Sequence, residues 1–306
     1  MRVFHLLLPA TLALAASAAG QSVSISGGKG QGTAAAGKPA PQLKTRTTRS
    51  GAATPRKNVD FCACVYRAVR NMPAGGGYAA RDSTIRNLSE NAVVWDDAQQ
   101  KLRVDIQRAT PSFCSSACYV ALLYALQVWQ VNTGLKLPPA AWAAMDITGQ
   151  RDGIGIWGRA NANGPGFAKL VHDLRAGASF TDIRRAKPGD FLKFFWSEEI
   201  GCRERGHLVV FLGTEEKDGA THVRYWSSNT PDGYSIRSTP LSQMHHPIFT
   251  RITRPDQFAN AARLPEADPW LQDMQTRSFT FAEVCSACGI ITAPAAAKSP
   301  AAAPAR

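Results

Sequence analysis

The sequence of 306 residues predicts an α+β fold, in which a central helix beginning at a cysteine packs on a small antiparallel β-sheet, with extra helices at both ends. Three observations predict this fold. Residues 111–129 form a long run around Cys114 that is apolar nearly all round, which is typical of a buried helix. Two strand-like segments follow, residues 186–196 and residues 206–213, and the second begins with His207 after its first glycine.

The N-terminus has the pattern of a secretory signal peptide over residues 1–18. It has a single Arg2, an apolar stretch through Leu14 and the small residues Ala16-Ser17-Ala18 at the expected cleavage site. An uncleaved anchor helix is the alternative, but the apolar stretch is shorter than the roughly 18 residues that span a bilayer. We therefore expect an exported protein, periplasmic or extracellular, without a membrane span after signal removal.

Both ends of the chain differ in composition from the middle. Residues 19–58 are predicted to be a disordered basic linker, residues 59–290 a single α+β domain, and residues 291–306 a disordered tail rich in Ala and Pro. The formal net charge of +12 belongs mainly to these ends, because residues 1–58 carry eight basic and no acidic side chains. The basic linker fits anionic polymers of the bacterial cell envelope, and we do not expect a nucleic-acid partner.

The first elements of the domain follow from hydrophobic spacing. Cys62, Val65, Val69 and Met72 recur at helical intervals and predict a first helix before a Gly-rich break. Alternating apolar residues in residues 101–106 predict a strand that pairs with the preceding Val-Val-Trp segment as a short hairpin.

The predicted central helix places Cys114 in its first turn. Ser112 is expected to cap the helix, and the free amide groups of the first turn and the helix dipole favour a negatively charged sulfur there. Cys118 lies one turn further on, in the apolar part, where core packing or a disulfide is expected.

Residues 146–166 are rich in Gly and Asn and predict an ordered loop. Part of the segment matches a dinucleotide fingerprint, but it leads into a turn and not into the helix that the fingerprint requires. We predict that Trp157, Arg159 and Asn161 bind substrate from this loop, and a purely structural loop is the alternative.

The second half of the domain predicts a sheet followed by helices. Residues 167–174 form a short helix, and residues 206–213 and 222–229 form an antiparallel hairpin. If Gly213 faces Thr221, His207 lies opposite Ser227, with Asn229 diagonal to it on the same face. The chain turns helical again after residue 252, and Thr280 and Glu283 form a capping-box pattern for the last helix.

Seven cysteines are present, at positions 62, 64, 114, 118, 202, 285 and 288. Export favours disulfides, so six paired cysteines and one catalytic thiol are the expected solution, although the sequence does not give the pairing. A zinc site built from the two close pairs, Cys62 with Cys64 and Cys285 with Cys288, is the alternative. We expect no metal and no cofactor.

These residues point to nucleophilic acyl transfer on an amide. Cys114 is the predicted nucleophile, His207 its base, and Asn229 or Ser227 the residue that orients the imidazole. Amide groups at the helix start are expected to bind the oxyanion. A disulfide or an inert buried thiol at Cys114 is the alternative.

At these residues the chain resembles the NlpC-like cell-wall cysteine peptidases, a branch of the papain-like group. The resemblance covers residues 105–230 and consists of Cys114-Ser115, Pro188-Gly189-Asp190 and Gly206-His207 through Leu212-Gly213. It implies a papain-like NlpC-type fold and hydrolysis of peptide or amide bonds in peptidoglycan stem peptides by a Cys-His-polar triad. Three departures from the family pattern mark a divergent member. The helix start reads Phe113-Cys114-Ser115-Ser116, the loop before His207 is long, and Asn229 stands at the third triad position.

Two functions of other classes fit the same sequence. A catalytically silent envelope-binding module would keep the fold and bind peptidoglycan without cutting it. An acyltransferase would form the same thioester and pass the acyl group to an acceptor other than water.

Overall fold

The computed structural model describes residues 59–291, so the predicted signal peptide, linker and nearly all of the C-terminal tail lie outside the described residues. The helices within this range are α1 Phe61–Asn71, α2 Asp82–Asn87, α3 Cys114–Thr133, α4 Pro139–Ala144, α5 Gly155–Asn161, α6 Gly166–Asp173, α7 Pro269–Asp273 and α8 Phe281–Ala287. The strands are β1 Gly75–Gly76, β2 Val93–Asp96, β3 Lys101–Val104, β4 Gly177–Phe180, β5 Phe191–Phe195, β6 Gly206–Lys217, β7 Ala220–Asn229, β8 Gly233–Pro240 and β9 His245–Ile252. Short 3₁₀ and π segments complete the connections, the longest over Pro255–Arg263.

The predicted α+β class is confirmed. Seven strands form one sheet in the order β1-β8-β7-β6-β5-β9-β4, and every neighbouring pair is antiparallel. The predicted short hairpin is also present, as β2 paired with β3 outside this sheet. Helices precede and follow the sheet in the chain, as expected.

Helix α3 is the central helix that the sequence predicts. It is 20 residues long, and Gly134 ends it in the left-handed conformation with φ of 75°. By length and composition α3 is the one helix of the described range that passes the test for a membrane span, but most of its apolar side chains are buried inside the protein. It packs against α1 on one side and against β6 and β7 on the other, so it is a core helix.

The three further helices that the sequence predicts are confirmed. Helix α1 covers the predicted positions Cys62, Val65 and Val69, and Asp60 caps it by accepting a hydrogen bond from the amide of Cys62. The predicted helix at residues 167–174 is α6, and the capping box of Thr280 and Glu283 opens α8.

The predicted register of the β6–β7 hairpin is wrong. Gly213 faces Arg224 and not Thr221, because both strands continue beyond Gly213 and close in a tight turn at Asp218-Gly219. Both turn residues have positive φ, 52° and 72°, which is the geometry that an Asp-Gly pair favours in a two-residue hairpin. When the register of the pairs Val210–Trp226 and Phe211–Tyr225 is continued to the start of β6, His207 lies opposite Asn229.

Asp190 fixes the start of β5, next to the tight turn at Gly189. Its carboxylate is completely buried and accepts two hydrogen bonds from the guanidinium of Arg251 on β9, at 2.8 and 2.6 Å. It also accepts from the amide of Lys187 at 2.9 Å and from the thiol of Cys62 at 3.4 Å. One buried charge therefore joins α1, β5 and β9, and the amide of Phe211 on β6 donates to its backbone carbonyl.

Asp190→Asn should destabilise the domain by about 3 kcal/mol, because it leaves the Arg251 guanidinium without its anion in a largely buried place. Asp273→Asn is the matched control, since Asp273 and Arg277 form an ion pair at 3.6 Å in which both side chains are about half exposed. It should cost less than about 1 kcal/mol. Urea unfolding followed by circular dichroism measures both, and equal losses would contradict this role of Asp190.

Candidate active site

Cys114 is the first residue of α3, as the sequence predicts, but Ser112 does not cap the helix. The N-cap residue is Phe113, whose amide donates to the hydroxyl of Ser116 at 2.9 Å, while that hydroxyl donates to the Phe113 carbonyl at 2.8 Å. Ser112 is instead buried against β7, where its hydroxyl donates to the hydroxyl of Ser228 at 2.9 Å. The sulfur of Cys114 therefore lies in a first turn whose amides at Cys114 and Ser115 have no acceptor within the helix.

His207 and Asn229 are joined by a hydrogen bond. The His207 Nε2 lies 3.0 Å from the Asn229 Oδ1. The Asn229 Nδ2 donates to the carbonyls of Ser227 and Ser235 at 3.1 and 3.0 Å, so Oδ1 is the amide atom that faces the imidazole. Because Oδ1 only accepts, Nε2 carries the proton, and Nδ1 is left as the basic nitrogen in the neutral imidazole.

Ser227, the second predicted orienting residue, does not contact the imidazole. Its side chain is completely buried, and its hydroxyl donates to the carbonyl of Leu208 at 2.8 Å. The corrected register explains this, because it places Asn229 and not Ser227 opposite His207.

The thiol of Cys114 lies beside the His207 side chain, and its pKa is changed by opposing effects. Burial raises the pKa of Cys114. The hydrogen bond and the positive charge of His207, the amide of Leu208 and the charge of Lys193 lower it, and the resulting pKa is about 7, below the ordinary value of 9.0. A substantial fraction of the thiol is therefore thiolate at neutral pH.

Leu208 connects α3 to the sheet through both of its backbone groups. The β6–β7 ladder begins only at the pair Val210–Trp226, so Leu208 has no backbone partner on β7. Its amide lowers the pKa of the Cys114 thiol. Its carbonyl accepts from the thiol of Cys118 at 3.3 Å and from the hydroxyl of Ser227. Side chains of α3 and β7 thus replace the missing ladder bonds beside His207.

A cavity of about 300 Å³ opens on the Cys114 side of the site. Of the predicted substrate-binding residues, Asn161 lines it. The Asn161 Oδ1 accepts from the Ser115 hydroxyl at 2.6 Å, and its Nδ2 donates to the carboxylate of Asp152. Lys193 and Glu204 form a largely buried ion pair at 2.6 Å in the same wall.

Trp157 and Arg159 do not face this cavity, so the prediction that they bind substrate is wrong. Residues 155–161 form α5 and not a loop, and both side chains point into the core from it. Trp157 is 1% exposed and packs edge-on against Tyr119. Arg159 is 3% exposed and pairs with Asp268 at 2.7 Å, so its role is to attach α5 to the segment before α7.

A second cavity, of about 340 Å³, opens on the His207 side. His207, Asn229 and the aromatic side chains of Tyr78, Trp196 and Tyr225 line it. Burial and the negative charge of Cys114 raise the pKa of Tyr78 to about 12, so its phenol keeps its proton and lies within electrostatic reach of the nucleophile.

The cysteines are not paired as the sequence analysis expected. All seven lie in residues 59–291, and none of them forms a disulfide there. Cys62 faces Asp190, while Cys285 and Cys288 lie in a separate apolar cluster under α8. Within the same residues no group of three or more His, Cys, Asp or Glu side chains converges as metal ligands would.

Sequence reasoning missed Tyr78, Asp152, Lys193 and Glu204 at the site. Only Lys193 had a signal, because a lysine in the middle of the apolar segment Phe-Leu-Lys-Phe-Phe needs an anion or water. The other three come from segments whose spacing shows no regular pattern.

Comparisons of the chain with protein-family models, with curated proteins and with solved structures gave no match.

Alkylation of Cys114 by iodoacetamide should follow a single ionisation near pH 7, with the rate rising as pH rises because the thiolate is the reacting form. His207→Ala should move the midpoint to pH 9 or above, since burial continues to raise the pKa when the partner is gone. Rates measured by mass spectrometry, in a Cys202→Ser background that removes the exposed thiol, give both midpoints. A midpoint unaffected by His207→Ala would exclude the pair.

Proposed function

We propose that this chain is an exported cysteine hydrolase of the papain-like NlpC type that cleaves amide or peptide bonds in peptidoglycan stem peptides. One observation carries the proposal. The Cys114 thiol at the start of a buried helix lies beside His207, which lowers the pKa of that thiol, and the Nε2 of the imidazole is hydrogen-bonded to Asn229. This is the arrangement that nucleophilic acyl transfer by a thiol requires.

The first half of the reaction forms a thioester. The Cys114 thiolate attacks the carbonyl carbon of the scissile amide, and the carbonyl oxygen becomes an oxyanion. Protonated His207 then gives its Nδ1 proton to the departing amine as the C–N bond breaks, which leaves an acyl-Cys114 thioester and a neutral imidazole.

The second half hydrolyses the thioester. His207, now neutral, takes a proton from water, whose oxygen attacks the thioester carbonyl, and the C–S bond breaks to release a carboxylic acid and the Cys114 thiolate. Asn229 keeps the proton of His207 on Nε2 throughout, so that Nδ1 serves as base and acid in turn.

We assign two groups to the stabilisation of the oxyanion. The amide of Cys114 has no intrahelical acceptor, and the helix dipole adds a partial positive charge at this end of α3. Tyr78, protonated across the neutral range, is the second donor that we assign to the oxyanion.

The substrate class is supported by residues outside the triad. The Pro188-Gly189-Asp190 turn that carries part of the resemblance leads into β5, and Gly206-His207 begin β6, the strand next to β5 in the sheet. The predicted signal peptide and basic linker would deliver the domain to the envelope, where peptidoglycan is the abundant source of amide bonds.

Release of new amino groups from purified peptidoglycan and from soluble stem peptides tests the proposal. Wild-type protein should release them, and Cys114→Ala should lower the rate on the order of 10³-fold or more, because no other group supplies the nucleophile. Cys202→Ser is the matched control, since it removes an exposed thiol and should leave the rate unchanged.

Two results would overturn the hydrolase proposal. Binding to peptidoglycan without amine release, unaffected by Cys114→Ala, would select the silent module. Products joined to an added amine, with little free acid by mass spectrometry, would select the acyltransferase.

A further inference from the structure

A third cavity, of about 1070 Å³, lies between the β2–β3 hairpin and the C-terminal end of α3, away from the candidate active site. It is more than three times as large as the cavity beside Cys114. Strand β3, the last turns of α3, the connection to α4 and the start of α4 form its walls. We call it the distal groove, and its lining comprises residues 99–104, 127, 130, 131, 134–139 and 142.

The distal groove lies at the opposite end of α3 from the nucleophile. Cys114 is the first residue of this helix, and Gln130 belongs to the groove wall. At 1.5 Å per residue these two positions are about 24 Å apart along the helix axis. An extended peptide of five residues spans at most about 18 Å. A short peptide bound at Cys114 therefore cannot reach the groove, whereas a polymer can occupy both places.

Two glutamines of α3 hold the walls of the groove in place. The Gln127 Nε2 donates to the carbonyl of Leu102 on β3 at 3.2 Å, and the Gln130 Oε1 accepts from the amide of Leu137 in the connection to α4. The hairpin and the connection are thus attached to the same helix. The groove is therefore preformed, as ligand sites usually are.

Apolar and amide side chains are mixed on the surface of the groove. Val131 is 84% exposed and Leu135 is 53% exposed, so two large apolar side chains face solvent here. Gln99 and Gln100, at the turn of the hairpin, are exposed as well. Apolar side chains pack on the C–H faces of sugar rings, and amides exchange hydrogen bonds with hydroxyl and acetamido groups. The lining therefore suits a glycan with N-acetyl groups.

The charged residues of the lining are all cations, Lys101, Arg103 and Lys136. Arg103 reaches the carboxylate of Asp105 at 3.8 Å, but no carboxylate oxygen of residues 59–291 lies within 4.0 Å of the other two. The acidic side chains of the hairpin lie outside the lining, at positions 96, 97 and 105. A lining of this charge attracts carboxylates.

We propose that the distal groove binds an intact peptidoglycan strand, with Lys101 and Lys136 bound to carboxylates of its stem peptides. The inference rests on the proposed function, from which the identity of the polymer follows, and adds a second binding site to it. A strand held in the groove keeps the domain on the wall and raises the effective concentration of stem peptides at Cys114.

Cosedimentation of Cys114→Ala with purified peptidoglycan sacculi tests the groove without turnover. Adding Lys101→Gln and Lys136→Gln should raise the Kd at least about fivefold, because two charged contacts are lost. Arg86→Gln with Lys217→Gln in the same background is the matched control. It removes the same charge from two exposed side chains outside the groove and should leave the Kd unchanged.

Turnover by the enzyme with Cys114 intact gives a second readout. The ratio of kcat/KM on sacculi to kcat/KM on a soluble stem peptide should fall at least about fivefold in Lys101→Gln/Lys136→Gln, since only the polymer reaches both sites. A structural defect would lower both values by the same factor. An unchanged ratio would overturn the use of the groove during cleavage while leaving the hydrolase intact.

The binding experiment decides the proposal even if the protein cuts neither substrate. A rise in Kd confined to the groove variant supports it. Equal Kd values in the groove and control variants, or no binding to sacculi at all, overturn it. Poly-L-glutamate is the competing probe. Binding of this polymer that is lost in the groove variant, while binding to sacculi is kept, would assign the groove to an acidic polypeptide and overturn the proposal.

Discussion

The hydrogen bonds at Leu208 are the constraint on which the geometry of the site depends. The β6–β7 ladder stops at Val210. The carbonyl of Leu208 accepts hydrogen bonds from Cys118 and Ser227, and its amide lowers the pKa of the Cys114 thiol. These bonds attach the first two turns of α3 to the strand residue that follows His207. The distance between nucleophile and base is therefore set by backbone and core contacts and not by a mobile loop, which is the condition for an aligned thiol and imidazole.

This arrangement also explains why a largely enclosed thiol ionises near neutrality. Burial alone would keep Cys114 protonated, as it does for Cys118, whose pKa is raised well above the ordinary value by burial and by the charge of Cys114. At Cys114 the imidazole, the Leu208 amide and Lys193 offset that effect. The ion pair with Glu204 limits how far Lys193 lowers the pKa of Cys114. The same ion pair gives the buried Lys193 an anionic partner next to the reacting groups.

The sequence was sufficient for local structure and for four members of the site, Cys114, His207, Asn229 and Asn161, and insufficient wherever strand pairing or side-chain direction decided the outcome. Cys114 and His207 were found because a helix start and a strand start each have a local pattern. Asn229 was found together with Ser227, since an error of two residues in strand pairing keeps the same face of the strand but changes the partner.

The prediction for Trp157 and Arg159 is wrong because their Gly-rich segment forms a helix and not a loop, and α5 turns both side chains into the core. Asp152 and Tyr78 reach the site only through tertiary packing.

The Leu208 amide offers the most direct test of this account, because it is the backbone group that lowers the pKa of the Cys114 thiol. In a pH titration followed by ¹H–¹⁵N NMR, the Leu208 amide shift should move with a midpoint near pH 7, the pKa of Cys114, and the transition should vanish in Cys114→Ala. A Leu208 amide that does not titrate, or that titrates near pH 9 with the midpoint of an ordinary thiol, would contradict the hydrogen-bonded thiolate on which the mechanism depends.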